Sequence, residues 1–138
     1  MSSIARFGVS LDKELLDKFD KLIGAKSYTN RSEAFRDLIR QELVKKEWLE
    51  AEEVVGAITL IYNHHKRELV NKLLDIQHEL GSCIISSQHI HIDHNNCLEI
   101  LAVKGTPVKV QRLSENLKAV KGVKHSTLSM STTGKGIV

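Results

Sequence analysis

The residues best equipped for chemistry lie in one short stretch, QHIHIDHNNCLEI, from Gln88 to Ile100. His89 and His91 are two positions apart, so on a strand their imidazoles share one face. Cys97 follows just past a polar turn at Asp93 to Asn96. An odd number of loop residues puts Cys97 on the face of His89 and His91, whereas a two-residue loop puts it on the opposite one. Two imidazoles and a thiolate are borderline-to-soft donors, suited to nickel, copper, zinc or cobalt and poorly suited to magnesium or calcium. A fourth donor is needed. His78, near the end of the preceding helical stretch, is the first choice and His94 the second. Glu99 is placed either as the general base of an enzymatic metal site or as the acceptor that orients a liganding histidine. His64, His65 and His125 have no comparable setting and read as surface or hydrogen-bonding residues. Cys83 stands at the start of an apolar strand and reads as a buried thiol. No nucleophile elbow, phosphate loop or dinucleotide fingerprint is present, which leaves catalysis the weaker idea.

These residues are unevenly distributed. All seven histidines fall after residue 63 in a chain of 138, a length that holds one ordinary domain or two very small ones. A net charge of +3 excludes an extremely basic nucleic-acid coat, and six aromatic residues are too few for a single-strand stacking platform. No apolar run approaches the roughly 20 residues that span a bilayer, and MSSIARFGVSLDKE has no apolar signal core, so a cytoplasmic protein is expected. Two cysteines make no disulfide framework and read as thiols or metal ligands.

The elements that position the histidines follow from periodicity. Residues 54–63 (VVGAITLIYN) read as a strand and 66–80 as a helix with Leu69, Val70, Leu73, Leu74 and Ile76 on its stripe. Residues 83–92 and 97–104 read as two strands. Pro107 opens a helix over 107–121, Gly122 stops it, and 123–132 is a last strand. The order is β-α-β-β-α-β, the ferredoxin-like split motif. Upstream, residues 3–11 alternate, with Ala5, Phe7, Val9 and Leu11 on one face, and predict a strand. Asp12 is placed to cap a helix that Gly24 stops. A second helix starts at Asn30, whose spacing to Glu33 suits a capping box, and runs to about Trp48. One strand and two helices bury too little apolar surface to stand alone, and an intertwined dimer, in which the strand pairs with its copy, resolves this. The division expected is therefore 1–48, an acidic linker at 49–53 within the Glu47–Glu53 stretch, and 54–138, giving an α+β protein.

Taken together these pieces resemble the nickel-responsive transcriptional regulators (NikR). IARFGVSLDKELLDKFD, Tyr28 to Ala34 and Arg36 to Arg40 resemble their ribbon-helix-helix domain. Asp75-Ile76-Gln77-His78, followed by QHIHIDHNNCLEI, resembles their metal-binding segment in residue type and spacing. The likeness covers residues 4–133. It implies an ACT-type C-terminal domain that assembles a homotetramer, a dimer of dimers, binding about one nickel ion per subunit. Each nickel would take His89, His91 and Cys97 from one subunit and His78 from another, a square-planar set of three nitrogens and one thiolate that suits Ni(II). Gln77 and Glu99 would support those ligands.

The resemblance also implies double-stranded operator DNA as partner. Two N-terminal strands would form a ribbon in the major groove with Arg6, Gly8 and Ser10 outward. Arg6 can read guanine and Ser10 several bases, while Gly8 departs from members that carry a polar side chain there. The start of the second helix, at Asn30, Arg31 and Ser32, would anchor a phosphate. Glu33 and Asp37 match acidic positions that hold a secondary cation in some members; their plainer roles are a capping residue and a surface carboxylate. The function implied is nickel-dependent repression of nickel uptake. The competing reading is a ribbon-helix-helix regulator responding to another metal or small ligand through its ACT-like domain. A metal enzyme or store has no use for the N-terminal third.

Overall fold

The computed structural model describes residues 3–135 and 137. The chain divides into two compact units, Met1–Gln41 and Glu42–Val138.

In the first unit, residues 3–12 form no regular element, in contrast to the strand predicted there. A strand exists only through ladder bonds to a neighbour, and this unit contains two helices and no second strand among its described residues. α1 spans Lys13–Ala25. The Asp12 carbonyl accepts the Leu16 N–H at 3.0 Å, but its side chain makes no capping bond. The helix passes Gly24 and ends one residue later. The turn that follows is made by Ser27, which adopts the left-handed region at φ 64°. α2 spans Arg31–Glu50. At its start the Glu33 N–H donates to Asn30 Oδ1 at 2.8 Å, the first limb of the expected capping box. Phe19 and Phe7 both lie against Phe35, with ring centroids 5.3 and 6.5 Å away.

α2 runs two residues beyond the expected end, taking Leu49 and Glu50 of the acidic stretch into its last turn. The cause is Trp48. Its side chain is 1% exposed within the core of the second unit, and its Nε1–H donates to the Val55 carbonyl at 3.0 Å. Beside it the Glu47 carboxylate accepts the Thr132 hydroxyl at 2.7 Å. These bonds hold the chain helical up to the three residues that precede the sheet.

The second unit has the order β1 (Val54–Asn63), α3 (Arg67–Leu80), β2 (Ile84–His91), β3 (Asn96–Gly105), α4 (Pro107–Lys118) and β4 (His125–Ser131). The strands form one antiparallel sheet in the spatial order β2-β3-β1-β4, the split arrangement read from the sequence. Alternate residues of the two central strands, Ile58, Leu60 and Tyr62 on β1 and Cys97, Leu101 and Val103 on β3, are buried. They pack with Leu69 and Leu73 of α3 and with Val110, Leu113 and Leu117 of α4 in one core. Cys83 lies in a 3-10 turn, Gly81–Cys83, rather than in the strand, and is buried as expected. α4 starts with the Thr106 side chain accepting the Lys109 N–H, and ends before Gly122, whose φ of 100° suits only a residue without a side chain. β2 is an edge strand with most of its side chains exposed.

Candidate metal centre and nucleic-acid face

The register of the β2–β3 hairpin decides which donors meet. His91 pairs directly with Cys97 and His89 with Glu99. Five residues, 92–96, separate His91 from Cys97, an odd number, so His89, His91, Cys97 and Glu99 all point to the same side of the sheet. Cys97 also pairs with Tyr62, and Glu99 with Leu60, so this side is the one covered by α3 and α4. The turn is held by Asp93, whose Oδ1 accepts the N–H groups of Asn95 and Asn96 at 2.9 and 2.8 Å. Those bonds, with the Asn96 side chain contributing most, depress the Asp93 carboxyl to about 2.

Glu99 is 1% exposed. A buried carboxylate requires partners, and it has them. Gln77 Nε2 donates to Oε1 at 2.9 Å, and His89 Nε2 lies 2.6 Å from Oε2. α3 therefore reaches the site through Gln77. Tyr62 completes the buried side. Its hydroxyl is pushed far up by burial, then by the Glu99 charge and its hydrogen bond with Cys97. Burial also raises the Cys97 thiol, although the bond with Tyr62 works against it. Thiol coordination would replace that proton by a metal, because the thiolate is the ligand form.

His78 is not brought to this group. It stands exposed in the last turn of α3. Among the described residues of the single chain, no three His, Cys, Asp or Glu side chains are gathered closely enough to hold an ion. The donor set nonetheless suits a late transition metal: two imidazoles and a thiol share a face, and a buried carboxylate sits on one imidazole. His64, read from sequence as a surface or hydrogen-bonding residue, is stacked on His91, with centroids 4.6 Å apart and planes 6° apart. His65 lies against His64 at 4.2 Å, and its Nε2 is 2.7 Å from the His94 carbonyl. Asn63 pairs with Asn96, so the residues just past β1 fall beside the hairpin turn. The only sequence signal was a His-His pair directly after a strand, and it becomes informative only once β1 is known to neighbour β3. Burial, followed by the neighbouring histidines, lowers the His64 pKa.

In the N-terminal unit Arg6, Gly8 and Ser10 are exposed, as is every residue from 3 to 12. So are large apolar residues that a lone unit has no means to cover: Ile4, Phe7, Leu15, Leu22 and Ile39 are all more than half exposed. Phe7, Val9, Leu11, Leu16, Phe35 and Ile39 line an open groove of about 940 Å³. Asn30 caps α2 and Ser32 is exposed, while Arg31 is engaged with Asp20 of α1. Glu33 accepts the Thr29 hydroxyl at 2.5 Å, which lowers its pKa. Asp37 accepts from the Tyr28 hydroxyl and from Gln41 Nε2.

Comparison with known proteins places both units. Residues 55–131 match the family described as NikR C terminal nickel binding domain, and residues 5–46 match the ribbon-helix-helix protein family of the copG type. A protein of Syntrophus aciditrophicus is 62% identical over 135 residues, 98% of each chain. One of Chlorobium limicola is 58% identical over 134 residues, 97% of this chain and all of its own. One of Pyrococcus furiosus is 54% identical over 136 residues, covering 98% and 99%. All three bear the name "Putative nickel-responsive regulator". Among solved structures, an uncharacterized protein of Thermotoga maritima superposes with a TM-score of 0.52 at 15% identity, covering 57% of this chain and 98% of that one, a likeness of fold alone.

Proposed function

Because this chain belongs to the family of nickel-responsive regulators that join a ribbon-helix-helix domain to a NikR C-terminal nickel-binding domain, we propose that it is a nickel-dependent DNA-binding repressor of nickel uptake, working in the cytoplasm. It is a regulator and not an enzyme. Residues 1–48 read DNA, residues 54–138 sense metal, and the acidic segment 49–53 joins them.

The observation that carries the metal half is the hairpin register, which sets His89, His91 and Cys97 on one face beside a buried Glu99. Those three side chains, with the partner subunit's His78, would hold about one Ni(II) per subunit. Bound there, nickel supplies a cross-link between subunits that favours one arrangement of a homotetramer over others, as allostery requires. Glu99 and Gln77 are positioning residues. With His89 Nε2–H donated to Glu99, Nδ1 keeps the lone pair for a metal, and the ring orientation is fixed. Exposure of His78 on α3 supports its donation to a second chain.

The exposed Arg6, Gly8 and Ser10 and the uncovered apolar residues beside them support a two-chain ribbon in the major groove of operator DNA, with Asn30, Arg31 and Ser32 at phosphates. Glu33 and Asp37 are better read as local acceptors than as ligands of a secondary cation, since Thr29, Tyr28 and Gln41 already occupy them. The deciding experiment is a footprint on the DNA upstream of the protein's own gene with and without nickel. Protection of a two-fold symmetric site that appears only with nickel is expected. Protection indifferent to nickel, or none, refutes the reading.

A further inference from the structure

Of the residues assigned to DNA phosphates, Arg31 is the one whose charge is already matched within the protein. Its Nε–H donates to Asp20 Oδ1 at 2.9 Å and its Nη2–H to Asp20 Oδ2 at 2.8 Å, two near-parallel bonds along one edge of the guanidinium. The pair is mutually stabilising: the bond to Arg31 lowers the Asp20 pKa and the bond to Asp20 raises that of Arg31. Arg31 is also the first residue of α2, where the helix dipole disfavours a cation and Asp20 offsets that cost.

A phosphate diester presents to the same guanidinium edge what a carboxylate does: two oxygens sharing one negative charge, at a spacing that accepts both N–H groups. We propose that Asp20 is an internal stand-in for a DNA phosphate, competing with the DNA backbone for Arg31 and thereby holding down affinity for DNA of any sequence. The inference rests on the DNA-binding reading above. Both side chains are substantially exposed, 55% for Arg31 and 40% for Asp20, so the pair is weak enough to exchange in solution. A phosphate arriving at the start of α2 must displace the Asp20 carboxylate from Arg31 or share the guanidinium with it. Asp20 thus lowers affinity for every sequence alike, without touching a base. It taxes the phosphate contacts, which every sequence offers, and leaves the base contacts of Arg6 and Ser10 as the discriminating part.

The test uses the full-length nickel-loaded protein and a labelled duplex lacking the operator, with affinity measured by fluorescence anisotropy over a range of salt. Asp20→Asn is expected to tighten binding by about three- to ten-fold and to steepen the dependence of log K on log salt by about one per subunit engaged. Arg31→Ala is expected to weaken binding, and the double variant should behave like Arg31→Ala alone. Unchanged or weaker binding by Asp20→Asn overturns the proposal, because the carboxylate would then orient Arg31 rather than compete for it. A gain that persists in the Arg31→Ala background overturns it too, since the effect would be a general field of the charge. If Arg31→Ala leaves affinity untouched, the phosphate-anchor assignment itself fails. Asp20→Ser repeats the test without an amide, and a thermal melt of each variant confirms that the folded protein is being compared.

Discussion

Glutamine at position 99 offers a test of the site that separates metal positioning from stability. Glu99 accepts through both oxygens, from Gln77 at Oε1 and from His89 at Oε2, inside a side that is almost closed to water. A carboxylate can serve two donors in this way, but glutamine has one oxygen and one NH2 group, so either Gln77 faces another N–H or His89 must switch to the tautomer whose Nε2 accepts. The partly buried Gln77 amide, left unpaired, costs about 1–2 kcal/mol. The His89 side chain is 51% exposed, so loss of its bond is screened and worth at most about 1 kcal/mol. Against this, the variant no longer buries a charge, a relief of comparable size. The urea midpoint of the metal-free Glu99→Gln protein should therefore lie close to wild type, within about 1 kcal/mol. Nickel affinity has no such compensation. The acceptor that fixes the His89 ring and its tautomer is gone, and affinity should fall about 10- to 100-fold, or about 1.4–2.8 kcal/mol. Competition against a chelator of known affinity measures the one, and urea titration the other. A folded variant with undiminished nickel affinity refutes the positioning role. A large loss of metal-free stability refutes the cancellation between the lost hydrogen bond and the relieved buried charge.

Four other outcomes follow from the same geometry. Nickel addition should produce a thiolate-to-metal charge-transfer absorption that Cys97→Ala abolishes and Cys83→Ala retains, because Cys83 is buried in a turn outside the hairpin; the reverse result would reassign the thiolate. Arg6→Ala should erase the sequence-specific footprint while nickel binding stays near one ion per subunit, and a footprint that survives would sink the ribbon. Trp48→Ala should cost about 3–5 kcal/mol in a urea titration through the cavity it leaves, and Trp48→Phe less, because it loses chiefly the N–H bond to Val55. Asp93 titrates in the folded protein at about 2, below the ordinary carboxylate near 4, so its contribution is complete above about pH 4 and lost as pH falls from there towards 2. The difference in urea midpoint between wild type and Asp93→Ala should shrink over that interval and no other.

What could be read from the sequence was whatever local periodicity encodes. β1 begins and ends where its apolar run does, and the β2–β3 hairpin obeys the parity condition that places Cys97 with the histidines. The departures have a common cause in contacts made far along the chain. Trp48 looks like the last residue of a helical stripe, but its burial beside Val55 carries α2 through Glu50. The stacking of His64 on His91 depends on strand order, which no window of residues contains. Asp20 sits on the polar side of a helical pattern, and its partner Arg31 is eleven residues away across a turn, so only the fold reveals the pair. The N-terminal strand illustrates the opposite case. Its alternation is plain, yet within a single chain it has nothing to bond with, and residues 3–12 remain without regular structure.

The segment with Arg6 and Ser10 needs a second copy to become a ribbon, and the apolar side chains of α1 and α2 need one to leave water. The hairpin donors need a fourth ligand, and His78 on the same chain stands apart from them. Each proposed site is thus half built in one chain, and on that reading assembly would be a condition of both functions. For such a system, ligand binding and subunit arrangement are linked by mass action. At a nickel concentration 100 times its dissociation constant, each site stabilises the metal-competent arrangement by about 2.7 kcal/mol over one that does not bind. In the proposed tetramer with one nickel per subunit, four such sites acting together would exceed the roughly 5.5 kcal/mol needed to turn a two-state population from 1:99 to 99:1. A modest net charge of +3 would then suffice on the DNA side. On the proposed function, affinity would come from duplicating a few contacts in a fixed spacing, with the metal supplying the free energy that fixes it.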